Sequence, residues 1–213
     1  MAEAAGRWAV LPVKPFDWAK SRLDGVLTPA ERSALARRLM LGSLGVLLES
    51  ACFERVVVVS RDAEALALAR ERGAYPLTED APADLNGAIV SARSLVMKEG
   101  ARSMLVLASD LPLVRTEDIR RVVAAAPTAG AVIVPDRREE GTNALLLSPP
   151  DLIEPAFGVE SFQRHLALLG EAGAVTSVLR LEGIAFDVDV PEDLADLERG
   201  VGLGQMRRRL ATD

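Results

Sequence analysis

The chain has 213 residues, 49% hydrophobic and 26% charged, with a formal net charge of -6, which suits one medium domain with a sizeable core and argues against a general nucleic-acid binder. The lone Cys52 excludes an intramolecular disulfide and an all-cysteine metal site, and no apolar run approaches the roughly 18 residues of a membrane span. Any anionic ligand must therefore be held by local Lys and Arg side chains or by metal ions.

Met1 to Arg7 lacks a basic-then-apolar signal segment, so a cytoplasmic location is expected. The first strand is predicted over Arg7–Val13, around Trp8-Ala9-Val10-Leu11. It runs into "PVKPFDWAKSRL", a basic stretch with no glycine before Gly25, where a phosphate-cradling loop would carry several. Lys14, Lys20 and Arg22 stand there, either as anion ligands or as a solvated basic face.

Thr28-Pro29-Ala30-Glu31 reads as a capping box opening a helix over 29–50, apolar on most sides. Strands follow at Arg55–Ser60, weakly at Ala74–Leu77, and at Ser103–Ser109, Ala131–Pro135, Asn143–Leu147 and Ile184–Val188. Helical patterns lie near 62–72, 86–99, 116–126, 161–172 and 191–199. "RVVVVS" and "SMLVLAS" are the continuous apolar runs of parallel strands covered on both faces. The alternation predicts a doubly wound, mostly parallel α/β sheet. It is broken at 131–147, where an antiparallel pair is expected on the far side of the sheet. Residues 1–213 read as one domain, with its core at about 7–199 and a peripheral tail over 200–213.

Ligands of such sheets bind at the carboxyl ends of the strands. In "FDVDVPEDL" an extended backbone sends Asp187 and Asp189 to one side, their origins roughly 7 Å apart. Carboxylates that close repel each other unless a cation lies between them. A cap for the next helix would account for Asp189 but not for Asp187, whereas a divalent metal accounts for both. Asp110, leaving the apolar strand of "LVLASDLPLV", is either a turn residue or the third carboxylate.

"AFGVESFQRH" places Gly158 and Ser161 at a helix start, with Ser161 expected to cap it. That start is either an ordinary helix N-terminus or an anion site. His165, the single histidine, falls on the helix itself and reads as a packing or solvated residue. In "EEGTNALLL" Thr142 either helps bind an anion or belongs to a plain turn, and Asn86 of "DLNGA" either reads a base or ribose or caps its helix. Ser-His-Asp and Cys-His arrangements have little support, and neither a Walker motif nor a G-x-G-x-x-G is present. Phosphate-to-phosphate transfer needs none of these, because a phosphate nucleophile is already ionised near neutrality.

Taken in order, "PVKPFDWAKSRL", "DLNGA", "SDLPL", "GTNALLL", "FGVESFQRH" and "DVDVPEDL" resemble the 2-phospho-L-lactate and phosphoenolpyruvate guanylyltransferases of coenzyme F-420 biosynthesis, from about Trp8 to Arg199. The resemblance implies a nucleotidyltransferase fold related to nucleotide-diphospho-sugar transferases. It also implies Mg2+-dependent transfer of GMP from GTP to a phosphorylated three-carbon acid, with two ions expected and pyrophosphate released. Carried over by motif, Asp110, Asp187 and Asp189 bind metal and carry catalysis, and Thr142, Gly158 and Ser161 bind the acid. Lys14, Lys20 and Arg22 face the triphosphate, with Asn86 on the nucleotide side. Phosphoenolpyruvate is the favoured acid, with 2-phospho-L-lactate and 3-phosphoglycerate as alternatives. No nucleic-acid or membrane partner is implied, and a homodimer is compatible with the resemblance. Two other classes compete: a nucleotide-sugar-dependent glycosyltransferase with its own Asp-x-Asp motif, and a non-catalytic nucleotide-binding regulator.

Overall fold

A computed structural model of the chain describes residues 6–79 and 84–200. The apolar runs become β1 (Arg7–Pro12), β2 (Arg55–Ser60), β3 (Tyr75–Thr78), β4 (Ser103–Leu107), β5 (Gly130–Pro135), β6 (Thr142–Ser148) and β7 (Thr176–Val178). The helices are α1 (Pro29–Glu49), α2 (Ala63–Glu71), α3 (Leu85–Lys98), α4 (Thr116–Ala124), α5 (Ser161–Glu171), α6 (Glu182–Ala185) and α7 (Pro191–Gly200). Among the described residues the strands form one sheet in the order β3-β2-β1-β4-β6-β5-β7. β6 runs antiparallel to β4 and β5, and the remaining neighbours are parallel.

Helices cover both faces, which is why every residue of β4, β5 and β6 is buried. The two-residue period of a strand divides β1 between two cores. Ala9 and Leu11 pack with Met40 and Leu44 of α1, Ala65 of α2 and Ile119 of α4. Trp8 and Val10 pack with Ile89 and Ala92 of α3 and with Phe162 and Leu169 of α5. None of the helices in the described residues is long and apolar enough to cross a membrane.

The expected capping box at Thr28 and Glu31 forms, with Thr28 Oγ1 accepting from the Glu31 N–H and Glu31 returning to the Thr28 N–H. α1 is not buried all round. Arg37, Arg38, Gly42 and Glu49 are exposed, while its inner face reaches two different cores. Ala36, Met40 and Leu47 join the sheet core, whereas Leu35 and Leu39 form a separate cluster with Leu23, Val188 and Leu197. That third cluster ties the basic loop after β1 to the aspartate segment near the end of the fold.

One expectation holds and one is corrected. The antiparallel pair β5 and β6 lies on the far side of the sheet, beyond the parallel set β3-β2-β1-β4, with the short β7 added in parallel outside β5. Ile184–Val188 is not a strand. Residues 182–185 form α6 and residues 186–189 are extended but unpaired, and the strand that escaped notice is β7. The apolar alternation Ile184-Phe186-Val188 comes from burial of those side chains in the core and in the third cluster, which an extended unpaired chain achieves equally well. Gly183 permits the turn of α6 to press on α4, since a Cβ there would stand 2.3 Å from Asp118 Oδ2 and 2.9 Å from the Leu113 carbonyl. Of the expected tail, everything beyond Gly200 lies outside the described residues.

Candidate active site

The sheet topology collects the chemistry at one end. Lys20 and Arg22 follow β1, and Asp110 follows β4. Because β6 is antiparallel, it is the start of that strand, Thr142 and Asn143, that lies beside the end of β4, where the Ala108 N–H donates to the Asn143 carbonyl at 2.8 Å. The loop after β1 turns back through Lys20, whose backbone is left-handed at φ 56°. This aims its side chain inward, where Nζ donates to Asp110 Oδ2 at 2.7 Å and to Asp189 Oδ1 at 3.2 Å. Burial works against the Lys20 charge, but the two carboxylates outweigh it and hold its pKa above the ordinary lysine value. Arg22, largely exposed, lies 3.8 Å from Asp189 Oδ2. Lys14 is exposed at the outer edge of the same loop.

Asp187 is the least comfortable member of the group. Val188 fills the third cluster, so the extended chain sends Asp187 and Asp189 the other way, as the sequence alternation predicts. Burial and then the negative charges of Asp110 and Asp189 push the Asp187 carboxyl up to about 6. Asn143, itself buried, steadies it with an Nδ2 donor at 3.4 Å while a second bond at 2.9 Å goes to the Ile184 carbonyl. Among the described residues no three His, Cys, Asp or Glu side chains stand ready to hold a metal ion. The Lys20 ammonium takes the place between Asp110 and Asp189. Three carboxylates thus face one another here, with their mutual repulsion only partly offset by one ammonium.

Asp193, which the sequence does not single out, anchors the segment that carries Asp189. It is 1% exposed, and its Oδ2 accepts the backbone N–H groups of Asp189 at 2.8 Å and Val190 at 2.9 Å. Its Oδ1 accepts from Arg137 and, at 3.0 Å, from Arg138, both on the loop between β5 and β6. Burial alone would raise its pKa, but the two N–H groups and the arginines hold it below the usual carboxylate range. Its place as third residue of a helix opened by Pro191 is the available signal, since that position reaches back to the N-cap N–H.

Thr142 and Ser161, two of the residues expected to bind the acid, come together with His165 at α5. Thr142, Ser161 and His165 are all buried, and Ser161 and His165, four residues apart, share one face of the helix. Ser161 does not cap it. The N-cap is Glu160, left-handed at φ 53° with no side-chain cap bond, and Ser161 is the first helical residue. The reason is local. Gly158 at φ 116° and Glu160 at φ 53° turn the chain twice, bringing the Ser161 N–H to the Gly158 carbonyl at 3.1 Å and making Ser161 the first residue of the helix rather than its cap. Asn86 neither caps α3 nor points away from the protein. Asp84 is the cap, and Asn86 Oδ1 accepts the Phe157 N–H at 2.8 Å while its Nδ2 donates to the Phe157 carbonyl at 3.0 Å. It therefore fixes the loop that carries Gly158.

His165 is 0% exposed, and burial followed by the charge of Arg164 drives its pKa down to about 4. An imidazole whose folded pKa lies below its unfolded value of about 6.5 contributes stability that is complete above pH 6.5 and is lost as pH falls toward 4. The loss in this case is about 3 kcal/mol. Melting temperature is expected to fall across that window in the native chain, and the part due to His165 disappears in His165→Gln, whose melting curve between pH 6.5 and 4 is correspondingly flatter.

A mostly parallel sheet that gathers three carboxylates and an inward lysine at its strand ends has the build of an α/β nucleotidyltransferase. Among solved structures, a protein described as a nucleotide-diphospho-sugar transferase, from Desulfovibrio desulfuricans, matches with a TM-score of 0.77 at 18% identity, covering 95% of this chain and 90% of that one. At this identity the likeness speaks for the fold. The profile of the guanylyl transferase CofC-like family matches residues 7–201, and the chain belongs to that family. A phosphoenolpyruvate guanylyltransferase of Sphaerobacter thermophilus is 41% identical over 89% of this chain and 91% of its own length. A 2-phospho-L-lactate guanylyltransferase of Methanothermobacter thermautotrophicus is 33% identical over 89% of this chain and 82% of its own. The chain is thus an enzyme of the nucleotidyltransferase class, which favours neither the glycosyltransferase nor the regulator reading.

Proposed function

We propose that the protein transfers GMP from GTP to a phosphorylated three-carbon acid in coenzyme F-420 biosynthesis, with phosphoenolpyruvate the first candidate and 2-phospho-L-lactate the second. The observation that carries this is the meeting of Asp110 and Asp189 on Lys20, with Asp187 close enough to feel both of their charges, at the end of the sheet where Thr142 begins β6. The names of the relatives supply the two acids. A phosphate oxygen of the acid attacks the α-phosphorus of GTP, a new P–O bond forms, and the bond to the bridging oxygen of the β-phosphate breaks, so that pyrophosphate leaves with that electron pair. The attacking oxygen is already ionised, so no general base is required.

Asp110, Asp187 and Asp189 would hold Mg2+, which neutralises charge on the α-phosphate and on the leaving group. Lys20 stands where it can follow the developing negative charge, with Arg22 and Lys14 outside it toward the triphosphate. Asn86 serves the acid side by holding Phe157, and reaches the nucleotide only if that contact opens. The test is pyrophosphate release from GTP and Mg2+ with each acid in turn, and absence of release with all of them removes the proposal.

The acid cleft carries its own expected result. With no cap to lose, Ser161→Ala should melt like the native chain. It should raise the KM for the acid about tenfold, the worth of a hydrogen bond to a charged group, and leave the KM for GTP unchanged. Gly158→Val should abolish acid use, since φ 116° is closed to a β-branched residue. Titration of each substrate at saturating levels of the other reads both effects. A rise confined to the KM for GTP would reverse the assignment of the two clefts.

A further inference from the structure

His165 is tied at both ring nitrogens inside the fold. The Ala156 N–H donates to Nε2 at 3.0 Å, and Nδ1 lies 3.0 Å from Thr142 Oγ1. A backbone N–H can only donate, so Nε2 carries the lone pair. A neutral imidazole has one donor and one acceptor, so Nδ1 carries the hydrogen. Nδ1–H therefore donates to the Thr142 oxygen. A threonine hydroxyl has a single hydrogen of its own, and with the oxygen occupied as an acceptor toward His165 that hydrogen is turned away from the imidazole.

The ring cannot escape this arrangement by rotating. Phe157 packs edge-on against it, with centroids 4.7 Å apart and planes at 71°. The loop that supplies Ala156 is itself fixed. Arg164 donates to the Ala156 and Phe157 carbonyls, and Asn86 binds both backbone groups of Phe157.

We propose that His165 is a positioning residue for the acid cleft. Its single permitted tautomer sets the Thr142 hydroxyl as a donor toward the anionic group of the acid, and the same ring holds the loop bearing Gly158 through Ala156. This rests on the reading of Thr142 as an acid-binding residue. A histidine suits the task because it spans two partners of opposite demand, a backbone donor on one side and a hydroxyl oxygen on the other, and stays uncharged at neutral pH. A lysine or arginine could serve only the threonine, and an aspartate only the backbone N–H.

The test is a double-mutant cycle read in the KM for phosphoenolpyruvate at saturating GTP and Mg2+. Thr142→Val should raise that constant about tenfold with the KM for GTP unchanged. His165→Gln, whose amide reaches the Nε2 position and can still accept from Ala156, leaves nothing at Nδ1 and should raise it several-fold. His165→Asn, whose amide falls near Nδ1 and can donate to Thr142, should stay closer to the native value. In the Thr142→Val background, His165→Gln should add nothing. An unchanged constant in His165→Gln, or an equal effect with and without Thr142, overturns the proposal. A native constant in Thr142→Val overturns instead the acid-cleft reading beneath it. Should His165→Gln fail to fold, His165→Asn decides the matter: a near-native constant supports the proposal, and a constant raised as far as in Thr142→Val, although the donor to Thr142 is kept, overturns it.

Discussion

Asp187→Asn is expected to abolish most turnover, by about a hundredfold or more, while making the metal-free protein harder to melt. The first effect follows from the metal-holding role proposed for this carboxylate. Stabilisation of charge that develops in the transition state is commonly the largest contribution to catalysis, and an amide at position 187 cannot hold a divalent cation as a carboxylate does. The second follows from the electrostatics of the free site. Burial and the charges of Asp110 and Asp189 push the Asp187 carboxyl up to about 6. A folded pKa above the unfolded one means that the stabilising contribution belongs to the protonated form. It is present below the unfolded pKa and is lost as pH rises through about 6. At pH 7.5 the native chain therefore carries a repulsion that asparagine removes, while the Asn143 contact can persist through the side-chain oxygen.

The two effects move in opposite directions, which separates loss of function from loss of fold. Melting temperature at pH 7.5 with and without Mg2+, together with pyrophosphate release, measures both. The native chain should be stabilised by Mg2+ and the variant should not. A variant that keeps native turnover at native Mg2+ dependence would take Asp187 out of the metal site.

Much of this site is legible in the sequence, for a definite physical reason. Asp187 and Asp189 alternate with Phe186 and Val188, and two-residue alternation puts paired residues on one side of any extended chain, whether or not it joins a sheet. The grouping was thus readable even though the strand at Ile184–Val188 does not exist. Lys20 is legible as a cation after β1, but its inward aim depends on a left-handed backbone at a non-glycine residue, which no local pattern announces. Thr176–Val178 is too short and too polar to show a strand period, and it exists because the edge of β5 offers a partner. Ser161 looks like a cap because serine before an apolar helix usually is one. Only the pair of positive-φ residues just before it, Gly158 and Glu160, shifts the cap by one position. Asn143, His165 and Asp193 act through partners about 40, 20 and 55 residues away, and contacts of that range are set by topology rather than by neighbours in sequence.

Asp193→Ala is expected to produce the largest loss of stability among single changes outside the apolar cores, and to impair turnover without touching a substrate. The carboxylate is 1% exposed and holds four donors: the N–H groups of Asp189 and Val190, and the side chains of Arg137 and Arg138. Alanine would orphan both backbone groups at about 1–3 kcal/mol each, whereas the arginines, 30% and 45% exposed, can turn to water. A loss of about 3 kcal/mol overall corresponds to a melting temperature lower by about 10 °C in a chain of this size. The same two N–H groups belong to the segment that aims Asp189 at Lys20, so releasing them should lower kcat and raise the Mg2+ concentration needed for half-maximal rate.

Asp193→Asn separates the two contributions. Its side-chain oxygen can still accept from Asp189 and Val190 but no longer balances Arg137 and Arg138, so it should recover most of the Mg2+ dependence while remaining less stable than the native chain. The arginines come from the loop that leads into Thr142, which makes Asp193 a joint between the segment of Asp187 and Asp189 and the start of β6. If Asp193→Ala melts about 10 °C lower yet shows native Mg2+ dependence at a temperature where it is fully folded, Asp193 supports the fold alone and the joint carries no positional information to Asp189.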